Sequence, residues 1–454
     1  MNNNRRKFLT STSALTASAL ASNLGTWGVE SANAQAASGY KAIVCVFLFG
    51  GSDSNNMIIP YTDYAAYSAV RTPASAVGIP QANLLQFNAA SKVYGFHPSM
   101  TSVAPLYAAG KLAVVANSGT LLAPLTKAQY QAGTNRPANL FSHSDQTDAW
   151  QGLLPGTASR SGWGGRMADK LIAANAGQLI PSAVSVAGSQ LFTAGDVTAP
   201  LVVPQNNIVT VSGQGSDSVS LARYAALNSL LKAADPSSTV VKSGAAVLDR
   251  ALVANATANP LLQMNSAAIT GAFPTAVTNT GIGQQLRQVA RLIDGRGTTG
   301  VKRQFFFVGV GGYDTHSNTI TNQTNLFNQL FPAMKAFYDY TVAAGVANDV
   351  VQVTLSDFNR TFIGNANQGV DHAWGGHQVV MGGSVKGGNM YGSLTDLVVK
   401  GGQDSGGNGS WIPGIAVDQV GGTLGKWLGM PGTDIAQVFP NLANFSTPDL
   451  GFML

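Results

Sequence analysis

Three unbroken apolar runs of strand length, and a fourth interrupted by Gln352 and Thr354, each stopped by a glycine or polar turn, limit the architectures open to this chain. Residues 42–49 end at Gly50-Gly51-Ser52-Asp53, and 112–116 at Asn117-Ser118-Gly119. Residues 305–310 end at Gly311-Gly312, and 350–355 at Ser356-Asp357. A run that is apolar at every position has no solvated face, so it belongs in a parallel sheet buried on both sides. Helical patterns lie between the runs, over 100–109, 164–175, 221–233, 283–294 and 326–344. The alternation predicts an α/β fold with a mostly parallel central sheet flanked by helices. Open sheets of this kind place ligands at the carboxyl ends of their strands, where Asp53, Asp314 and Asp357 fall.

The stretch 178–215 is rich in Val, Ser, Thr and Pro and reads as a β-rich excursion. With the helical stretch to 289 it forms an elaboration (about 178–289) of one domain spanning 35–454. Beyond 379 the chain alternates short apolar runs with glycine turns at Gly387-Gly388, Gly401-Gly402 and Gly406-Gly407.

The amino terminus carries an address. Arg5-Arg6-Lys7 leads into a weakly apolar segment rich in Ser, Thr and Ala, then Ala32-Asn33-Ala34. This predicts a cleaved signal over 1–34, exported by the twin-arginine machinery, and a mature protein that is periplasmic or secreted. The apolar part is too short to span a bilayer, and no later segment has spanning length. Cleavage leaves 454 − 34 = 420 residues, ample for a large core. It removes Arg5, Arg6, Lys7 and Glu30, lowering the net charge from +5 to about +3. No basic patch with interleaved aromatics speaks for nucleic acid. The one cysteine, Cys45, has no disulfide partner in the chain and reads as a small buried residue.

The chemistry concentrates in three short motifs. Asp314 and His316 stand two apart in Gly311-Gly312-Tyr313-Asp314-Thr315-His316, a spacing that puts both side chains on one face of an extended segment. Asp371-His372-Ala373-Trp374-Gly375-Gly376-His377 offers a carboxylate and two imidazoles around a glycine pair that lets the chain fold back. Ser356-Asp357-Phe358-Asn359-Arg360 adds a carboxylate and a guanidinium suited to an anion. With Asp53, the expected metal ligands are Asp53, Asp314, His316, Asp357, Asp371, His372 and His377. Such a set suits a divalent metal, Zn first, with Ca, Mg or Mn as alternatives. Ser142-His143-Ser144-Asp145 has the form of a helix start whose hydroxyl could face an anion. Ser142, His143 and Arg360 are the candidate catalytic residues. His97, before Pro98, reads as structural.

Together these motifs resemble the bacterial, twin-arginine-exported family called domain of unknown function 1501. The resemblance runs nearly end to end through the mature chain. It rests on the motifs above, on Phe47-Leu48-Phe49-Gly50-Gly51-Ser52-Asp53 with Asn55-Asn56, and on Trp411-Ile412-Pro413 with Val417-Asp418. It implies a fold similar to alkaline phosphatases, sulfatases and cofactor-independent phosphoglycerate mutases. On that likeness Asp53 matches the first aspartate, Ser142 lies near the nucleophile slot, and Asp314 with His316 matches the first later pair. Asp357 matches the aspartate of an Asp-His motif in which Phe358 replaces the histidine, and His372 or His377 supplies the last ligand. The replacement implies one metal or a rearranged pair in place of a two-zinc site. No Cys/Ser-x-Pro-x-Arg stands near Ser142, which argues against formylglycine chemistry. The expected function is hydrolysis of a small-molecule phosphate ester, or less readily a sulfate ester. The alternative is an exported binding or cell-surface protein that keeps the fold without turnover.

Overall fold

The computed structural model describes residues 39–72, 75–153, 160–209, 215, 217–233 and 237–454. The export segment 1–34, with Arg5 and Arg6, lies outside them, as do 210–214 of the Val- and Thr-rich stretch.

The strands in chain order are β1 Lys41–Leu48, β2 Ile58–Pro60, β3 Leu85–Ala89, β4 Lys92–Phe96, β5 Leu112–Gly119, β6 Ala183–Ser185 and β7 Leu201–Val202. They continue with β8 Arg303–Val310, β9 Val350–Ser356, β10 Arg360–Gly364, β11 Val370–His372, β12 Gly376–Gly382, β13 Met390–Tyr391 and β14 Ile415–Ala416. The central sheet has the order β13-β5-β12-β9-β1-β8-β6-β7, with β14 also paired to β5. Its pairs are parallel except those of β12, which runs antiparallel to β5 and β9. The four apolar runs are β1, β5, β8 and β9, and the expected α/β class holds.

Strand β1 shows why those runs cannot alternate in polarity. Ala42, Val44, Val46 and Leu48 pack into one core, while Ile43, Cys45 and Phe47 pack into the other. Successive side chains point to opposite faces, so a strand with a core on each side needs an apolar residue at every position. Each fully buried Val, Ile or Phe contributes about 1.5–3 kcal/mol. The helices Gly281–Asp294 and Thr319–Ala343 cover the first face through Leu286, Val289, Phe327 and Phe331. The helices His143–Gly152, Trp163–Lys170 and Val417–Trp427 cover the second through Trp150, Trp163, Met167, Val420 and Leu424.

The β-rich stretch 178–215 contributes two short strands, β6 and β7, to the central sheet, with Ala183 opposite Phe305 and Val184 opposite Phe306. A three-residue strand carries too little pattern to be assigned without its partner. The glycine-rich tail contains β12, a fully buried central strand. Its direction matters for the site. The carboxyl ends of β1, β8 and β9 lie level, because Leu48 pairs with both Val310 and Ser356. Being antiparallel, β12 starts at that same edge and brings residues 371–375 to it. No helix among the described residues is long and apolar enough to cross a membrane.

Candidate metal centre

Turns at the carboxyl edge of the sheet deliver the site. After β1, Gly50 and Gly51 adopt left-handed conformations (φ 106° and 76°) that L side chains rarely take. A Cβ on Gly51 would lie 2.5 Å from the Phe358 ring. This turn aims two backbone N–H groups at Asp357, whose Oδ1 accepts from Gly50 at 2.9 Å and Gly51 at 3.0 Å. The other oxygen, Oδ2, accepts from Nδ1 of His143 at 2.6 Å. Asp357 is 1 % exposed and both its oxygens are engaged. With both oxygens engaged it orients His143, a supporting role in place of the ligand role expected of it.

The same device recurs twice. His316 donates through Nδ1 to Asp371 Oδ1 at 2.9 Å, and His372 donates through Nδ1 to the carbonyl of Phe141 at 2.7 Å. A carbonyl oxygen only accepts, so Nδ1 of His372 carries the proton. In a neutral imidazole this leaves Nε2 with a bare lone pair. Burial lowers the pKa of His372, outweighing the carbonyl bond, and so favours that neutral form. Asp371, expected as a ligand, likewise serves as the partner of a histidine.

The three Nε2 atoms gather around one carboxylate oxygen. Asp314 Oδ1 lies 3.4 Å from Nε2 of His143, 3.1 Å from that of His316 and 3.7 Å from that of His372. The Nε2 atoms of His316 and His372 are 3.0 Å apart. Donors about 2.0–2.1 Å from a tetrahedral ion stand roughly 3.3–3.4 Å from one another. The ligand atoms of His143, Asp314 and His372 all lie within 4.8 Å of one another, the spacing of a site that could hold an ion. His143 Nε2 is buried and makes no hydrogen bond, which leaves its lone pair to such an ion. His316 adjoins this triad through Asp314 and His372. Burial raises the pKa of Asp314, but the hydrogen bond and charge of Arg360 and the nearby imidazoles outweigh it and hold the carboxyl below its ordinary value. Phe358 packs its ring 4.6 Å from that of His143 and 4.8 Å from that of His372, an aromatic brace for both imidazoles.

The remaining candidates go elsewhere. Asp53 is 1 % exposed and grips Arg71 with both oxygens, at 2.6 and 3.1 Å. Arg71 also donates to the carbonyls of Thr361 and Phe362, so Asp53 ties the turn after β1 to β10. His377 is buried on β12, where its Nδ1 accepts from the Asn117 N–H at 3.0 Å and burial lowers its pKa to about 4. Neither joins the donors that converge around Asp314. Arg360, expected to bind a substrate anion, is 0 % exposed and is spent internally. Its Nε donates to Gly51 O, Nη1 to Val370 O, and Nη2 to Gly50 O and to Asp314 Oδ1 at 2.6 Å. Ser142 is the N-cap of the helix His143–Gly152, with its hydroxyl on Asp145. His143, grouped with the catalytic residues, instead presents Nε2 to the centre. His97 is structural as expected, its Nδ1 accepting from the Ser99 N–H.

A cavity of 490 Å³ opens beside the centre, with His143, Asp314 and Asp357 on its wall. Ser144, Thr147 and Asp148 line it too, while Ser142 does not. Thr147 and Asp148 were not among the residues expected at the site. Their spacing from Ser144, three and four positions on, was the available signal, since it puts all three on one helix face. Arg71 and the Phe141 carbonyl had no comparable signal.

Residues 40–403 match the family described as protein of unknown function (DUF1501). No curated protein sequence matches the chain. Among solved structures, the lipoteichoic acid synthase LtaP from Listeria monocytogenes is similar at 6 % identity and a TM-score of 0.37, over 86 % of this chain and 72 % of that one. Ps i-CgsB in complex with k-i-k-neocarrahexaose is similar at 7 % identity and 0.34, over 90 % and 77 %. The PsFucS1 sulfatase from Pseudoalteromonas sp. is similar at 9 % and 0.31, over 79 % and 65 %.

Proposed function

The chain belongs to the DUF1501 family, and from its own site we propose that it is an exported, metal-dependent hydrolase of phosphate esters, with sulfate esters as poorer substrates. One observation carries this reading: Nε2 of His143, Nε2 of His372 and Oδ1 of Asp314 meet beside an open cavity, each imidazole held from behind at Nδ1. An imidazole-rich set favours zinc over calcium or magnesium, which take oxygen ligands. A divalent cation held by these residues, with His316 adjoining, would supply Lewis-acid polarisation of an ester oxygen.

The protein's own groups do the rest. Asp357, Asp371 and the Phe141 carbonyl fix the imidazole rings and their tautomers. The first turns of the helix His143–Gly152 line the cavity, so the positive end of its dipole lies beside a bound anion. Asp148 stands on the cavity wall as a group able to take or give a proton; burial, then the charge of Asp145, raises its pKa. In the reaction water forms one bond to phosphorus, the bond to the leaving oxygen breaks, and a proton passes to the alcohol. Export to the periplasm or beyond rests on Arg5-Arg6 and Ala32-Asn33-Ala34.

A second reading, an exported binding protein without turnover, is favoured by two observations: Arg360 is buried and Ser142 is a helix cap. Elemental analysis of the purified mature protein, followed by assay on aryl phosphate and sulfate esters, separates the two. Stoichiometric transition metal with turnover supports the hydrolase. An inert protein supports the binding role.

A further inference from the structure

We infer that the site selects esters carrying a single negative charge over doubly charged monoesters, an inference that rests on the hydrolase reading above. Beyond the proposed cation and the helix start, a dianion needs further cationic side chains, and the nearest one here is already committed. Arg360, the guanidinium nearest the centre, gives its N–H groups to three backbone carbonyls and Asp314. Among the described residues no lysine or arginine lines the cavity, whereas Asp148, Asp314 and Asp357 do.

Two of these three carboxylates are offset. Asp314 is paired with Arg360, and Asp357 takes backbone N–H groups and His143. Asp148 is the one left over. It stands one turn along the helix from Ser144 and lines the same cavity. Ser144 and Thr147 beside it can hydrogen-bond an ester oxygen without adding charge.

The cavity also has room for a second substituent. Phe49, Gly311 and Gly312 are among its lining residues, an aromatic ring and glycine backbone that suit an organic group better than a charged oxygen. A singly charged ester has either of two sources, a phosphodiester or a sulfate ester. In the first, water forms one bond to phosphorus and the bond to one alcohol oxygen breaks, giving a monoester and an alcohol that carries the transferred proton. In the second the same exchange occurs at sulfur, giving sulfate and an alcohol. Neither needs an oxidant or a reductant.

The test uses mature protein loaded with zinc at pH 8 and two readouts. Calorimetry compares binding of dimethyl phosphate, a monoanion, with methyl phosphate, a dianion. Turnover compares bis(p-nitrophenyl) phosphate and p-nitrophenyl sulfate with p-nitrophenyl phosphate. We expect the monoanion to bind at least about tenfold more tightly and Asp148→Asn to shrink that ratio about tenfold, the scale of one partly screened charge. The turnover arms then tell diester from sulfate. Tighter binding of methyl phosphate, or an unchanged ratio in Asp148→Asn, overturns the charge selection. Selective binding with no turnover of any ester upholds the selection and overturns the hydrolase reading alone.

Discussion

Asp357 holds His143 across 214 residues of chain, with 2.6 Å between Oδ2 and Nδ1. That contact fixes which imidazole nitrogen faces the centre. An asparagine there keeps an acceptor for the Gly50 and Gly51 N–H groups but loses the carboxylate that His143 needs. Outer partners of this kind typically contribute 10- to 100-fold in metal affinity. Asp357→Asn should weaken zinc binding by about that factor in a competition titration, with the far-ultraviolet circular dichroism unchanged. Unaltered affinity would mean that His143 is not held for an ion.

Arg71 and Asp53 form a buried ion pair with both partners nearly inaccessible. Removing one partner leaves an unpaired charge in the interior, which costs about 3–5 kcal/mol. Arg71→Met should lower the denaturation midpoint accordingly, while the folded fraction keeps its full metal content. Loss of metal from folded Arg71→Met would restore Asp53 to the ligand set.

Ser142 caps a helix, with its hydroxyl accepting from the Asp145 N–H. Ser142→Ala should cost about 0.5–2 kcal/mol of stability, the ordinary worth of such a cap. Ester turnover should persist within about threefold, since the change removes no cavity-lining group. Abolished turnover at unchanged metal content would make Ser142 the nucleophile after all.

Asp418 lies buried near the start of the helix Val417–Trp427, with Oδ2 lacking a hydrogen-bond partner. Burial raises its pKa from 3.8 to about 7, against the opposing pull of Asn441 and Arg166. Below 3.8 both folded and unfolded states hold the proton, and Asp418 has no effect on their balance. Between 3.8 and about 7 the unfolded state ionises first, so stability falls as pH rises, and above about 7 the loss is complete. The full loss is on the order of 4 kcal/mol. Asp418→Asn should therefore gain little over wild type at pH 4 and most at pH 8 in denaturant titrations. An equal offset at both pH values would contradict the buried-carboxyl account.

The sheet was legible where burial on both faces writes itself into consecutive residues, as in β1, β5, β8 and β9. It was illegible in β6 and β12, where three residues or a glycine-broken run leave no period and only the partner strand sets the register. The site divides similarly. Asp314 and His316 could be paired from their spacing, because an extended chain turns residues two apart to one side. Asp53, Asp357 and His377 stand at the same sheet edge and read, from sequence, as equivalent to the donors that do converge. Position along a strand places a carboxylate at an edge but does not aim it. What aims Asp53 is Arg71, and what aims Asp357 is the pair of N–H groups from the Gly50-Gly51 turn. His143 was seen as part of a nucleophile motif because its partner lies in another motif far along the chain.

The central claim is that His143, Asp314 and His372 share one cation. Its most direct test is zinc stoichiometry and affinity by calorimetry on the reconstituted mature protein, its His143→Ala and His372→Ala variants, and His377→Gln as the control. The account predicts one tightly bound equivalent in the wild type and in His377→Gln, and loss of that binding in the other two. A wild type that binds no stoichiometric ion, or His143→Ala and His372→Ala variants that keep it, would contradict the account.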